Sequence, residues 1–149
     1  MDFDNPDVKT FVQQVKTNTY AVESPAGFVE VPDFKQKDIP ELLKYAKDNT
    51  PIRGYPANPV SSISSDYYRL SQCLLWTIEK VRTNRYPSLT PLLYKQAESE
   101  ELVITDAAAD IMAVWELYSK WWEKVENESL GSSIGYIHIN PLEDSIYSW

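Results

Sequence analysis

The chain has 149 residues, of which 43% are hydrophobic and 13% aromatic, so it is long enough to bury a core and too apolar for a disordered chain. Its 22 acidic and 14 basic side chains give a net charge of −8, which disfavours nucleic acid as a partner because phosphate is repelled. Apolar stretches of only a few residues, such as Cys73–Trp76, exclude a transmembrane segment, which needs about 20. Cys73 is the only cysteine, which excludes an intramolecular disulfide.

The N-terminal residues bear on localisation. Met1 is followed by acidic residues and lacks the basic and apolar regions of a signal peptide. Either the protein is cytoplasmic, or a signal precedes this sequence and the protein is a periplasmic or outer-membrane lipoprotein.

A helix is predicted close to the N-terminus. Asn5 as the cap, Pro6 at the first helical position and Asp7 in the first turn begin it. Its apolar residues recur at helical spacing: Val8, Phe11, Val12 and Val15. The prolines and glycine around the alternating residues 28–31 are compatible with a short β-hairpin near residues 20–34 and not with a helix.

The middle of the chain is predicted to contain a short helix, a long loop and a longer helix. The short helix begins at Ile39, where a proline follows, and it ends before Pro51. Residues 51–65 hold three prolines, one glycine and four serines, the composition of an irregular loop, and loops of this length are often functional. Asp66 caps the longer helix, whose apolar face is wide.

The second half of the chain is interpreted in the same way. Pro91 begins a short helix, the acidic run 98–101 is a solvated connection, and the longest helix runs from Thr105 to about Asn127. The tail from residue 131 is expected to dock on the body. Its predicted anchors are Leu142, Ile146, Tyr147 and Trp149.

A helix-pair repeat is suggested by two short helices, each followed after a loop by a longer helix that contains Trp76 or Trp115. Wide apolar faces are what stacked helical hairpins require. We therefore predict that residues 1–149 form a single, mostly α domain of two stacked, HEAT-like helix pairs, capped by the N-terminal helix and an irregular docked tail. An irregular helical bundle is the alternative.

Catalytic and metal-binding groups are scarce. His138 is the only histidine and is expected to be a hydrogen-bonded structural residue, while Cys73 is expected in the core, where burial suppresses thiol reactivity. One histidine and one thiol scarcely provide a metal site, and no phosphate loop or nucleophile elbow is present. The sequence therefore predicts no metal, no cofactor and no enzyme activity.

Polar residues near the long loop are the candidate partner-binding site. They form a binding rim or, in the favoured interpretation, brace the loop, with Arg82 paired to Glu79 one helical turn away. The candidates are Arg53, Asn58, Ser61, Ser62, Arg69, Glu79 and Arg82.

Several motifs together resemble a family of short, uncharacterised domains from gut anaerobes, usually secreted or lipoprotein-anchored. The motifs are Asn58–Ser62, Leu70–Arg82, Tyr86–Pro91 and Asn140–Glu143, with Tyr147 and Trp149. The resemblance covers most of the chain and implies a HEAT-like fold and an envelope location, with no activity to transfer.

The leading functional hypothesis is a noncatalytic protein- or peptide-interaction module, because wide apolar helices occur without a chemical motif. A glycan-binding or glycan-processing accessory protein is the alternative, given the aromatic and acidic bias. A third hypothesis is a regulator whose −8 charge complements a basic protein.

Overall fold

The structure, a computed structural model, describes residues 1–57 and 67–149. Its helices are α1 Val8–Lys16, α2 Ile39–Tyr45, α3 Leu70–Thr83 and α4 Ala108–Val125. Its strands are β1 Pro51–Ile52, β2 Tyr68–Arg69, β3 Leu93–Gln96, β4 Leu102–Thr105 and β5 Tyr147–Ser148. The fold is 39% helix and 11% strand, with two antiparallel sheets, so the prediction of a mostly α, HEAT-like fold is wrong.

Helix α1 begins two residues later than predicted. Asp7, and not Asn5, is its N-cap, and the Asp7 carboxylate accepts hydrogen bonds from the Thr10 amide at 2.8 Å and the Thr10 hydroxyl at 2.6 Å. These hydrogen bonds lower the pKa of Asp7. The predicted apolar face is correct, since all four of its residues are buried.

Helix α3 lies at the centre of the core. Each of its first ten residues, Leu70 to Glu79, is buried, because α2 and α4 both pack against this helix. A helix that is apolar on most sides must be covered on most sides. The predicted N-cap, Asp66, lies outside the described residues.

The segment predicted as a short helix after Pro91 is strand β3. It pairs antiparallel with β4 from Leu93↔Thr105 to Gln96↔Leu102, and its other edge pairs with β5. The acidic run 98–101 is the hairpin turn, in which Glu100 adopts a left-handed φ of 67°. Without this helix the second helix pair does not exist, which removes the basis of the repeat.

The predicted hairpin near residues 20–34 is reduced to one isolated bridge between Glu23 and Val29. A tight turn closes it, with the Gly27 amide donating to the Ser24 carbonyl at 2.8 Å and φ at Gly27 of 85°. Pro25 and Pro32 cannot donate to a ladder, which explains why the pairing does not extend.

The C-terminal tail docks, but partly through residues other than those predicted. Leu142 and Ile137 are buried, and Tyr147 belongs to β5, whereas Ile146 is 46% exposed and is not an anchor. Residues Tyr136–His138 form a short 3-10 helix. The tail is therefore not irregular, because its end completes a sheet.

Candidate functional site

Strand β4 forms an edge that no described strand covers. The order of the three-stranded sheet is β4-β3-β5, so β4 pairs on one side only. Its four residues, Leu102 to Thr105, include no charge and no proline, two features that commonly protect an edge from pairing. Leu102 is 62% exposed and Ile104 59%, which makes this edge an apolar surface.

The two most exposed side chains of β4, those of Leu102 and Ile104, lie on the outer face of the sheet, and Val103, which is 43% exposed, lies on the other face. Ile104 pairs with Tyr94 and Leu102 with Gln96, and side chains of paired residues share a face. The Gln96 amide donates to the Ile146 carbonyl at 2.8 Å, which places Ile146 beside them. The outer face thus presents three exposed aliphatic side chains, which we call the outer apolar face: Leu102, Ile104 and Ile146.

The inner face is anchored to helix α4 by Asp110. Each strand contributes one partner: Lys95 of β3 at 3.1 Å, the Thr105 hydroxyl of β4 at 2.7 Å and the Tyr147 hydroxyl of β5 at 2.8 Å. The hydrogen bonds from Thr105 and Tyr147 and the charge of Lys95 lower the pKa of Asp110. Burial and the same contact raise the pKa of Tyr147 to about 12. This anchor fixes which face of the sheet is turned outward.

Backbone hydrogen-bonding groups along the outer edge of β4 have no partner among residues 1–57 and 67–149. The Ala97 amide donates to the Glu101 carbonyl at 2.8 Å, so position 101 is bonded to β3. In an antiparallel ladder the bonded positions alternate, which turns Val103 and Thr105 towards β3 and leaves the amides and carbonyls of Leu102 and Ile104 at the open edge. The strand therefore offers hydrogen bonds at Leu102 and Ile104, the two residues of β4 whose apolar side chains are most exposed.

A groove of about 480 Å³ lies at the C-terminal end of β4. The Arg53 side chain approaches the rim at Tyr67, whose ring lies 5.8 Å from the guanidinium. The groove is lined by Pro51, Tyr67, Tyr68, Arg69, Gln72, Leu92, Ile104, Thr105 and Asp106. It continues the edge of β4 into a partly aromatic depression.

Acidic side chains stand at both ends of β4. Glu98, Glu100 and Glu101 occupy the hairpin turn before it, and Asp106 follows it. All four are exposed, and none forms an ion pair within residues 1–57 and 67–149. Among the residues that line the groove, Arg69 is the basic one and Asp106 the acidic one. The site is thus an apolar edge bounded by negative charge.

Comparison with known proteins assigns the chain to a family. A family model described as a domain of unknown function, DUF4943, matches residues 2–149. The chain belongs to this family. No curated protein and no solved structure matches it. The expectation of an uncharacterised family is confirmed, and the HEAT-like fold that the resemblance implies is not.

The DUF4943 domain separates the residues predicted to bind a partner. Arg53 and Arg69 lie beside the groove, whereas Glu79 and Arg82 lie about 15 and 20 Å from Arg69 along α3, since a helix rises about 1.5 Å per residue. Asn58, Ser61 and Ser62 lie outside the described residues. The four predicted residues that the structure describes therefore lie in two separate places.

Glu79 and Arg82 belong to a buried polar network. The Arg82 Nε and Nη2 donate to the Glu79 carboxylate at 2.8 and 2.6 Å, and Arg82 Nη1 donates to the His138 carbonyl at 3.0 Å. The Tyr118 hydroxyl donates to Glu79 at 2.9 Å and accepts from the Trp149 indole at 3.0 Å. Burial, followed by the charge of Glu79, raises the pKa of Tyr118. The network joins α3, α4 and the tail.

The other reactive side chains have structural environments. Cys73 is fully buried in α3, and burial raises the pKa of its thiol. The His138 ring hydrogen-bonds the Ser132 carbonyl. Within the described ranges no three acidic, histidine or cysteine side chains come together as metal ligands. Nor is any helix there long and apolar enough to cross a bilayer.

Asp110→Asn tests the anchor of the sheet. We expect the free energy of unfolding to fall by about 1–2 kcal/mol at pH 7, because the hydrogen bonds to a charged acceptor weaken and Lys95 loses its partner. The folded-state pKa is lowered, so this contribution is complete above the unfolded pKa of about 4 and is lost as pH falls through the folded value. Urea unfolding from pH 7 to pH 2 therefore shows wild type and variant converging, and equal stabilities at pH 7 contradict the anchor. Asp106→Asn, which has no ion pair in the described part, is the control.

Sequence reasoning missed β4 because the signal is short. Val103, Ile104 and Thr105 are β-branched residues between a glutamate-rich run and a helix start, the pattern of a strand after a turn. The predicted helix begins at Thr105, the last of these β-branched residues, whereas α4 begins at Ala108.

Proposed function

We propose that this domain is a noncatalytic interaction module in which β4 pairs with an extended segment of a partner polypeptide. The observation that supports this most strongly is the open edge at Leu102 and Ile104, where free backbone groups and exposed apolar side chains coincide. In strand addition, main-chain hydrogen bonds supply affinity and alternate side chains supply specificity. β4 provides both elements over four residues.

The orientation of the sheet supports the proposal. Asp110 holds the inner face against α4 through one contact from each strand, so the outer face and the edge are preformed. A preformed surface loses less conformational entropy on binding than a flexible one. An incoming strand would extend the sheet without rearranging the core.

The state of the polar groups supports a noncatalytic role. The Glu79 carboxylate is held by Arg82 and Tyr118, and the Cys73 thiol is buried, so neither is poised for proton transfer or nucleophilic attack. We also propose that the contact is made in the cell envelope, as the family resemblance implies. Fractionation of cells that express the full-length gene product tests that location.

Leu102→Pro and Leu102→Thr test strand addition as a matched pair. Both remove the leucine side chain, but only proline removes the outward amide, which β3 does not use. The probe is a peptide, Ser-Ser-Thr-Val-Thr-Val-Thr-Ser-Ser, followed by NMR titration. We expect Leu102→Pro to bind about fivefold more weakly than Leu102→Thr, because one hydrogen bond contributes about 1 kcal/mol net.

Thermal unfolding of both variants establishes that the hairpin is retained. Equal affinities in two folded variants would show that the peptide does not use the edge amide, and chemical-shift changes confined to another surface would refute the site. Thr105→Ser, at a position bonded to β3, is expected to leave binding unchanged.

A further inference from the structure

We infer that the strand accepted by β4 belongs to a different protein and carries basic residues on both sides of a short alternating apolar core. This inference rests on the proposed function and specifies the partner. Its basis is the charge of the exposed acids that directly precede and follow β4, the strand that carries the free hydrogen-bonding groups.

The acidic ends of β4 select a basic partner. Glu98, Glu100 and Glu101 lie before the strand and Asp106 after it, and Arg69 offsets only part of this charge. An antiparallel or parallel guest strand of similar length must place its own ends beside these two clusters. Opposite charges on adjacent strands stabilise the pair, and like charges destabilise it.

The same acids disfavour pairing between two copies of this chain. In such a pair, the outward amides and carbonyls of one β4 strand must bond those of the other. The antiparallel register with the longest overlap therefore pairs Leu102 with Ile104 of the second copy. That register brings the turn 98–101 of each copy against Asp106 of the other. Acid then faces acid at both ends, and each copy has a net charge of −8. The apolar edge of β4 thus favours pairing with a guest strand, while the acids at its ends disfavour pairing with the β4 strand of a second copy.

The outer apolar face defines the core of the guest strand. Leu102 and Ile104 project to one side, at a spacing of two residues. A guest with apolar residues at every second position continues this face, and the polar positions between them turn towards the inner side. A segment of about five alternating residues covers the four residues of β4.

Three peptides with one core test the inference. Each contains Thr-Val-Thr-Val-Thr, flanked on both sides by two lysines, two serines or two glutamates, and each is titrated into the intact chain. At about 20 mM salt we expect the lysine-flanked peptide to bind about tenfold more tightly than the serine-flanked one, and the glutamate-flanked one more weakly still. At about 500 mM salt the differences shrink because exposed charges are screened.

Paired charge variants assign the effect to the ends of β4. Glu101→Gln with Asp106→Asn removes one exposed acid at each end, and we expect it to reduce the preference for the lysine-flanked peptide at least threefold. Glu116→Gln with Glu123→Gln makes the same change in net charge on exposed positions of α4 and is expected to leave the preference unchanged. Equal losses in both variants would indicate general charge attraction and overturn the inference.

The outcomes separate the inference from the proposed function. If all three peptides bind at β4 with equal affinity, strand addition stands and the basic partner is wrong. If none binds, both are wrong. If sedimentation shows a dimer that Leu102→Pro dissociates, the strand pairs with a second copy and the inference of a different protein is overturned.

Discussion

Replacing Arg82 with methionine is expected to lower the free energy of unfolding by about 3–5 kcal/mol. The side chains of Arg82 and Glu79 are each only 8% exposed, and their contact at 2.6 Å is supported by the Tyr118 hydroxyl. Without the guanidinium, the Glu79 carboxylate is left buried with one hydrogen bond. The His138 carbonyl also loses its donor, which loosens the tail. Urea unfolding monitored by tryptophan fluorescence measures the loss.

A double variant provides the control for this result. Glu79→Leu combined with Arg82→Met replaces both charges with apolar groups of similar size, which is often close to neutral for a buried pair. The double variant is therefore expected to be more stable than Arg82→Met alone. A loss below about 1 kcal/mol for the single variant would indicate a solvent-screened pair and contradict the network.

Trp76→Ala is expected to cost about 3–5 kcal/mol, the usual range for deleting a fully buried aromatic side chain. Trp76 is 0% exposed, its ring centroid lies 5.3 Å from that of Tyr86, and its indole donates to the Ser88 hydroxyl at 2.9 Å. The substitution leaves a cavity beside α3 and removes one of the two hydrogen bonds of the Ser88 hydroxyl, which still donates to the Thr90 carbonyl at 2.7 Å. Thermal or urea unfolding provides the measurement.

Trp115→Ala is the matched comparison. Trp115 is only half-buried, its indole donates to the Leu43 carbonyl at 2.8 Å, and the Lys47 ammonium lies over its ring. We expect a smaller loss than for Trp76, because less apolar surface leaves the core. Equal losses in the free energy of unfolding for the two variants would contradict the central position of α3 in the core.

The helices could be predicted because their signals are local. Asp7, Ile39 and their neighbours follow the capping and proline rules, and the apolar spacing of α1 identifies its buried face. The wide apolar arcs of α3 and α4 predict that each helix packs against more than one neighbour, and the structure confirms this. The nature of those neighbours was not predictable, because the same arc can be covered by a helix or by a sheet.

The three-stranded sheet could not be predicted from local signals because its pairings are short or distant in sequence. β3 and β4 have four residues each, too few for a period of two to stand out from a helical pattern. Tyr147 pairs with Lys95, more than 50 positions earlier, and no local signal encodes that register. Asp110, which orders the three strands, appears in sequence as one more exposed helix acid.

The candidate site was missed for a related reason. The polar residues predicted near the long loop include Arg53 and Arg69, which lie at the groove rim. They also include Glu79 and Arg82, which are buried in the polar network. The exposed residues Leu102 and Ile104 have ordinary core chemistry. Only the topology shows that they lie at an open edge.

Residue-resolved amide exchange on adding the lysine-flanked peptide tests the central claim most directly. The amides of Leu102 and Ile104 point away from β3 and should gain protection when a guest strand pairs with β4, while those of Val103 and Thr105 are already bonded and should change little. This alternating pattern is the result that strand addition predicts. Unchanged exchange at Leu102 and Ile104 in the bound state, or protection confined to another surface, would contradict it.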